Sequence, residues 1–329
     1  MRAFRGKRYL LVRSIHSDYS FVKGYKADEY GNVMFHKSAL NFNLDIAKAG
    51  KTCIVEVEEI VPAGSIDPHH IMLPQIYVQR LIKGEKYEKP IEEYTVKKKG
   101  EKASESDFFK TPEGKIKKKI AERASKFLKD GMYINLGIGI PSLIANFVDK
   151  NRGITLHSEN GILGMGEFPS ENEVDPELIN AGKQLVTIDK GGSYVSTSES
   201  FGMIRGGHIN VTFLGGMQVS EDGDLANWIV PGKVLKGIGG AMDLVAGTEK
   251  IVVTMIHNTK HGEHKILRDC TYPLTGTKCI DILVTEKAVF KWNKRGKMVL
   301  TDVAKESSLE DIRANTEAIY VISDDLKQF

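Results

Sequence analysis

Cysteine is scarce in this sequence. Three thiols in 329 residues, Cys53, Cys270 and Cys279, stand far apart, with no CxxC pair and no histidine at ligand spacing. That pattern argues against both a disulfide framework and a zinc site, and it fits a reducing compartment. Long apolar runs are missing as well: nothing approaches the roughly 20 residues needed to span a bilayer, so no membrane partner is expected. The N-terminal stretch MRAFRGKRYLLVRS lacks the apolar segment and cleavage site of a signal peptide. Although Arg-rich, it already reads as a strand from Tyr9 to Val12. Charge of one sign is not concentrated either. The formal net charge is +3, and the lysines are scattered or gathered in one stretch instead of interleaved with aromatics. No nucleic-acid footprint follows from that, whereas an acidic small molecule remains compatible.

What is present is an ordinary globular composition, 41% hydrophobic and 27% charged, long enough for about two domains with their own cores. The clearest boundary is KKKGEKASESDFFKTPEG, a Lys/Glu/Ser-rich stretch without periodicity. It divides the chain into 1–96, a linker at 97–113, and 114–329. Thr111 is placed to cap a helix that opens on Pro112, and Ile116, Ile120, Ala124, Phe127 and Leu128 recur at helical spacing before Gly131 stops the run. A buried strand from Met132 to Leu136, a glycine-rich turn and a helix near Pro141 follow. GITLHS, QLVTI, INVTFL, KIVVTMI and CIDILVTE each read as further strands. Near-continuous apolar strands alternating with loops and helices indicate an α/β fold with mostly parallel sheets, covered on both faces.

The chain also repeats itself. DYSFVKGYKADEYGNVMF lines up with HINVTFLGGMQVSEDGDLAN, matching Gly31-Asn32 to Gly223-Asp224. Ala49 falls as far after Gly31 as Ala241 after Gly223, and the strands TCIVEVEEI and KIVVTMIH follow. LPQIYVQRLI and YPLTGTKCIDILVTE then both approach another apolar run from a proline. The expectation is two homologous open α/β domains, the first N-terminally truncated. Its missing half would come from a partner chain or belong to a longer protein.

Several long motifs carry a family resemblance: NLGIGIPSLIANFV, LHSENGILGMG, INAGKQLVTI, ESFGMIRGGHINVTFLGGMQVSEDGDLANW, VPGKVLKGIGGAMDLV and KCIDILVTEKAVF. Together with ADEYGNVMFHKSALNFN, VEVEEIV and LPQIYVQRLIKGEKYEK they cover essentially the whole chain. The sequence resembles the family I coenzyme A transferases, especially those that move CoA from succinyl-CoA to 3-oxoacids such as acetoacetate in ketone-body use. The resemblance implies a CoA-transferase fold, a homodimer, and a mitochondrial matrix location in a eukaryote or a cytoplasmic one in a bacterium. It also implies that Glu159, in the SENG motif, is the covalent nucleophile. Acetate-type transfer, or an inactive fragment or paralogue that only binds acyl-CoA or a partner subunit, stand as alternatives.

Chemistry gives Glu159 a reason of its own. A carboxylate with an ordinary pKa near 4.3 is ionised at neutral pH and attacks a thioester carbonyl without a separate base. Glutamyl-CoA chemistry then needs no cofactor, ATP or metal, since the CoA thioester is itself a substrate, and it proceeds by ping-pong kinetics. The attacked carbonyl becomes an oxyanion and needs donors. Gly239 and Gly240 let backbone approach closely, and by resemblance the Gly240 N–H is one donor. Its complement would come from the first domain, in the part that reads as absent. Asn135, at a strand end before the glycine turn, either borders the substrate pocket, as the resemblance implies, or ties down the turn.

Other residues carry alternatives of the same kind. His157 either tunes Glu159 or packs structurally. His257, His261 and His264 read as a solvated hairpin tip before a metal site. Lys183 and Lys236 read as exposed ion-pairing residues before CoA-phosphate partners. Arg205 reads as part of a turn, with a substrate carboxylate as its alternative partner. Glu56, Glu58 and Glu59 read as the solvated side of a strand end. Gly137 and Gly139 are too little for a dinucleotide fingerprint, because Ser142 stands where the third glycine belongs.

Overall fold

Uninterrupted apolar runs become buried parallel strands in the computed structural model, which describes residues 1–97, 107–232, 237–293 and 296–329. Most of the 97–113 stretch, and Lys236, lie outside the described residues. Contacts divide the chain into residues 1–89 and 90–329, so the division falls ahead of the stretch read as a linker.

The second unit is built on a ten-stranded sheet. Its order is Ile188–Tyr194, Ile162–Met165, Thr155–Ser158, Tyr133–Leu136, Val211–Gly215, Lys250–Thr254, Ile282–Val284, Ala288–Trp292, Met298–Val303 and Val321–Gln328. The strands from Thr155–Ser158 to Ile282–Val284 all run parallel. Antiparallel hairpins extend the sheet on both sides, so it is parallel at the centre and mixed at the flanks. Helix Pro112–Ser125 starts where the sequence places it, with Thr111 Oγ1 accepting from the Gly114 N–H at 3.0 Å and Pro112 in the first turn. It lays Ile120, Ala121 and Ala124 on one sheet face, against Val211, Phe213, Val252, Ile282 and Val284. On the other face Ile204, Leu244 and Ile312, from helices Thr197–Arg205, Ala241–Gly247 and Leu309–Ala314, pack with Leu214, Val253 and Leu283. Each such fully buried aliphatic side chain contributes about 1.5–3 kcal/mol.

Three expectations are corrected. QLVTI is not a strand: Gln184 and Leu185 make only isolated bridges, and the strand is Ile188–Tyr194. The cause is local, since the Asn180 side chain takes the Gln184 N–H at 3.0 Å while Leu178 takes that of Val186. The segment after the glycine turn is a 3₁₀ helix, Pro141–Phe147. At the N-terminus the strand is Lys7–Tyr9, paired with Arg2–Phe4, and Leu10 to Val12 are exposed beyond it.

The 1–89 unit repeats part of the second. Ser17–Lys23, Gly50–Val57 and Arg80–Lys83 form a parallel sheet. Beside it Lys26–Asp28 pairs antiparallel with Val33–Met34 and parallel with Glu59–Val61. In the second unit Val211–Gly215, Lys250–Thr254 and Ile282–Val284 have the same topology, and Gln218–Ser220 pairs likewise with Leu225–Ala226 and Ile266–Leu267. The matched turns agree in detail. Gly31 and Gly223 hold φ of 93° and 86°, and the next N–H is taken by Asp28 Oδ1 at 2.9 Å in one copy and Ser220 Oγ at 3.0 Å in the other. The equal spacing of Ala49 and Ala241 does not carry through. Ala49 closes helix Asn43–Ala49 whereas Ala241 opens Ala241–Gly247, because the second copy has a longer approach to its helix.

Candidate active site at the Glu159 hairpin

Strands Thr155–Ser158 and Ile162–Met165 pair through Ser158 and Ile162, so Glu159, Asn160 and Gly161 form the whole loop between them. A loop that short needs a final residue at positive φ. Gly161 supplies it, at φ 114°, with its N–H donating to the Ser158 carbonyl at 3.0 Å. A Cβ there would lie 2.1 Å from the Val195 carbonyl oxygen, so glycine is required on contact grounds too. The loop is pinned at both ends. Asn160 Nδ2 donates to the Ile179 carbonyl at 2.7 Å, and Ser158 Oγ accepts from the Ala181 N–H at 2.9 Å. Glu159 therefore sits on a fixed hairpin tip at the carboxyl end of a parallel strand, where ligands approach open α/β sheets.

Beneath it lies a row of polar side chains inside an apolar sheet. His157, Asn135 and Thr212 face one another across adjacent strands, and all three are fully buried. Thr212 donates to Asn135 Oδ1 at 3.1 Å, which turns the Asn135 amide so that Nδ2 donates to Glu159 Oε2 at 3.1 Å. The His157 ring contacts Asn135 Nδ2 through Nδ1 at 3.3 Å and Ser200 Oγ through Nε2 at 2.8 Å. Burial lowers the His157 pKa to about 4, so the ring is neutral. The neutral tautomer protonated at Nε2 satisfies both contacts, with Nδ1 accepting from Asn135. Glu159 itself is only partly exposed, and burial pushes its carboxyl above the ordinary range while the Asn135 bond pulls it back. Gly240 closes the other side. A Cβ on it would lie 3.7 Å from Glu159 Cγ and 2.6 Å from Phe201 Cζ, so a larger residue would have to displace the Phe201 ring. Gly239 stands at φ 58° with open space around it.

Glu159, Asn135 and Gly240 are thus brought together, with Gly239 next in the chain. Thr212, Ser200 and Phe201 were not singled out from the sequence. The signal for Thr212 was available only as a polar residue inside the apolar run INVTFL, and strand register is what aligns it with Asn135.

A family model described as coenzyme A transferase matches residues 1–84 and 117–315. The chain belongs to the coenzyme A transferase family. Among curated relatives, the human mitochondrial succinyl-CoA:3-ketoacid coenzyme A transferase 2 is 49% identical over 99% of this chain and 62% of its own length. The chain therefore spans about three fifths of that relative. A Bacillus subtilis protein, one subunit of a probable succinyl-CoA:3-ketoacid coenzyme A transferase, is 50% identical over 63% of this chain and 95% of its own. In fold, the chain superposes on an acyl-CoA transferase of Escherichia coli O157:H7 with a TM-score of 0.78 at 21% identity, covering 100% of this chain and 65% of that one.

In this coenzyme A transferase family member the other conspicuous residues have structural partners. Lys183 pairs with Glu92 at 2.6 Å on the surface, and Arg205 pairs with Asp243 at 2.8 Å across two helices. Glu58 holds Lys23 and Lys89, and Glu59 holds Lys26. His261 is exposed, but His257 is not on a solvated tip: it is fully buried between the hydroxyls of Thr285 and Thr316. His264 bonds the Ala314 carbonyl. Gly137 is explained by the sheet, because a Cβ there would lie 2.9 Å from the Phe213 carbonyl oxygen. Burial raises the Cys270 and Cys279 thiols to about 12 and about 11, far from a reactive thiolate. No helix among the described residues is long and apolar enough to cross a membrane.

Proposed function

We propose that this protein transfers coenzyme A from succinyl-CoA to a 3-oxoacid through a thioester on Glu159. The observation that carries the proposal is a single carboxylate on a pinned hairpin tip, oriented by the Asn135 amide and faced by Gly240. Ionised Glu159 attacks the succinyl thioester carbonyl. The C–S bond breaks, leaving a glutamyl-succinyl anhydride and CoA thiolate. The thiolate attacks the glutamyl carbonyl, expels succinate and forms glutamyl-CoA. The acetoacetate carboxylate attacks that thioester, and the same two steps run in reverse give acetoacetyl-CoA and free Glu159. Protons balance throughout without a base, and no cofactor or metal enters.

Asn135 Nδ2 and the Gly240 N–H are the donors we assign to the developing oxyanions, with Gly239 leaving the approach open. Loss of one such donor costs roughly 3–4 kcal/mol of barrier. The names of the human and Bacillus relatives support the choice of acids. We propose a mitochondrial matrix location in a eukaryote or a cytoplasmic one in a bacterium, and the mitochondrial name of the human relative supports the former.

A partner belongs to the proposal, and the internal repeat supports it. By register, Phe21 and Ile82 occupy the places of Phe213 and Val284. The latter two are fully buried under helix Pro112–Ser125, whereas Phe21 is 70% and Ile82 51% exposed. We infer that this face of the 1–89 unit takes an amphipathic helix of a partner polypeptide, with the same face of a second copy as the alternative.

The test is direct. Incubating the chain with succinyl-CoA alone should attach CoA to the peptide carrying Glu159, as read by intact and peptide mass spectrometry. Glu159→Ala should abolish both the adduct and acetoacetate-dependent transfer. Transfer that survives in Glu159→Ala would refute the nucleophile. An inert wild-type chain that gains activity from an added first-domain polypeptide would assign it as one half of a two-part enzyme.

A further inference from the structure

We propose that the carboxyl edge of strands Val211–Gly215 and Lys250–Thr254 carries an anion-binding site separate from Glu159, where Lys265 and the Thr254 hydroxyl take a phosphate or carboxylate oxyanion. An open cavity of about 350 Å³ lies there, lined by Gly215, Gly216, Thr254, Lys260 and Lys265 among others. Neighbouring strands are about 4.8 Å apart, so two strand spacings and a half put it roughly 12 Å along the edge from Glu159.

Two groups lining the cavity lack what burial normally demands. Thr254 is 1% exposed, and its hydroxyl has no hydrogen-bond partner. Buried hydroxyls are nearly always bonded, so a lone one lining a cavity is positioned to donate to something that enters. Lys265 is anchored just ahead of strand Ile266–Leu267, and its ammonium donates to the Ile256 carbonyl at 3.1 Å. Among the described residues it has no ion-pair partner; Glu286 acts on it only from a distance. Loss of hydration lowers its pKa to about 8, which still leaves it mostly charged at neutral pH. A half-buried cation whose acidic neighbour Glu286 makes no ion pair with it is most simply completed by an anion.

The surroundings suit a small oxyanion. Gly216 passes so close to the neighbouring strand that a Cβ would lie 2.8 Å from Val253 Cγ1, so no side chain fills the floor. Lys260, exposed in the turn after Asn258, adds a second positive charge at the mouth. Asn258 contributes nothing to binding, because its Nδ2 already serves the carbonyls of Glu263 and Asn315.

The site is independent of the transfer reaction, so its test uses binding alone. The full chain is titrated calorimetrically with inorganic phosphate and separately with succinate in chloride-free buffer, and amide NMR locates the response. One anion should bind and shift the Gly215, Gly216 and Thr254 amides. Lys265→Met and Thr254→Val should each weaken it about tenfold or more, and Lys260→Gln about threefold. Binding of phosphate alone would identify a phosphate-bearing ligand, and binding of succinate alone a carboxylate. The proposal fails if neither anion binds at millimolar concentration. It also fails if folded Thr254→Val and Lys260→Gln bind as the wild type does.

Discussion

Burial opposes the charge that Glu159 needs in order to attack. Its pKa is raised by lost hydration, against the pull of the Asn135 bond. A carboxyl whose folded pKa lies above its unfolded value contributes stability below the unfolded value, near 4.3, and loses it as pH rises through the folded one. Ionisation of the side chain therefore opposes folding. Glu159→Gln keeps the shape and an oxygen for Asn135 Nδ2 while removing the charge. It should be more stable than the wild type at pH 7 by about 0.5–2 kcal/mol, the usual size of a single stabilising substitution. The gain should shrink toward pH 4, as followed by urea unfolding across that range. His157 and His257, held neutral with pKa values lowered to about 4 and about 3, destabilise both proteins as pH falls below about 6.5. Their effect cancels in the difference. A glutamine variant no more stable at any pH would mean that the polar row fully compensates the charge. At this scale the motif singled out Glu159 for the place where the Asn135 amide meets it, but Thr212 and Ser200 were hidden, because one hydroxyl looks the same in the sequence whether or not the fold brings it to a partner.

The hairpin that presents Glu159 depends on two separate demands on Gly161. One is its positive φ; the other is the Val195 carbonyl in the space a Cβ would fill. Gly191 offers a control, since it also has positive φ, 86°, but nothing near its missing Cβ. Gly191→Ala should lose only the strain of a left-handed residue, about 1–2 kcal/mol. Gly161→Ala must also move backbone, and should lose roughly 3 kcal/mol or more, along with the proposed CoA transfer, as Glu159 shifts with the loop. Equal losses in chemical denaturation would show that the Val195 contact relaxes freely. Elements with strong local signals were legible beforehand: Thr111 and Pro112 announced their helix, and apolar runs announced the central strands. QLVTI misled because its composition is strand-like while Asn180 claims its backbone, and a side chain four residues away leaves no periodicity to read.

At the scale of the whole chain, the two copies of one supersecondary unit differ in what covers them. The repeat was visible in the sequence because its turns require the same glycines. The cover was not, because helix Pro112–Ser125 lies outside the repeated segment and its partners appear only once the sheet is formed. The three hydrophobic clusters are built from separate residues, Val22 to Leu81 in the one of the 1–89 unit and Ile120 onward in the two of the second unit. Matched positions should then respond in opposite ways. Phe213, fully buried, sits in the centre of its sheet. Phe213→Lys leaves a cavity and a charge in the core, and should cost about 3–5 kcal/mol or prevent folding. Phe21 occupies the equivalent place on a bare face, and Phe21→Lys should change stability by less than about 0.5 kcal/mol while reducing self-association at high concentration. Thermal unfolding and analytical ultracentrifugation of the two variants decide the matter. A strongly destabilised Phe21→Lys would mean that the face is already covered, and the inferred helical partner would lose its docking site.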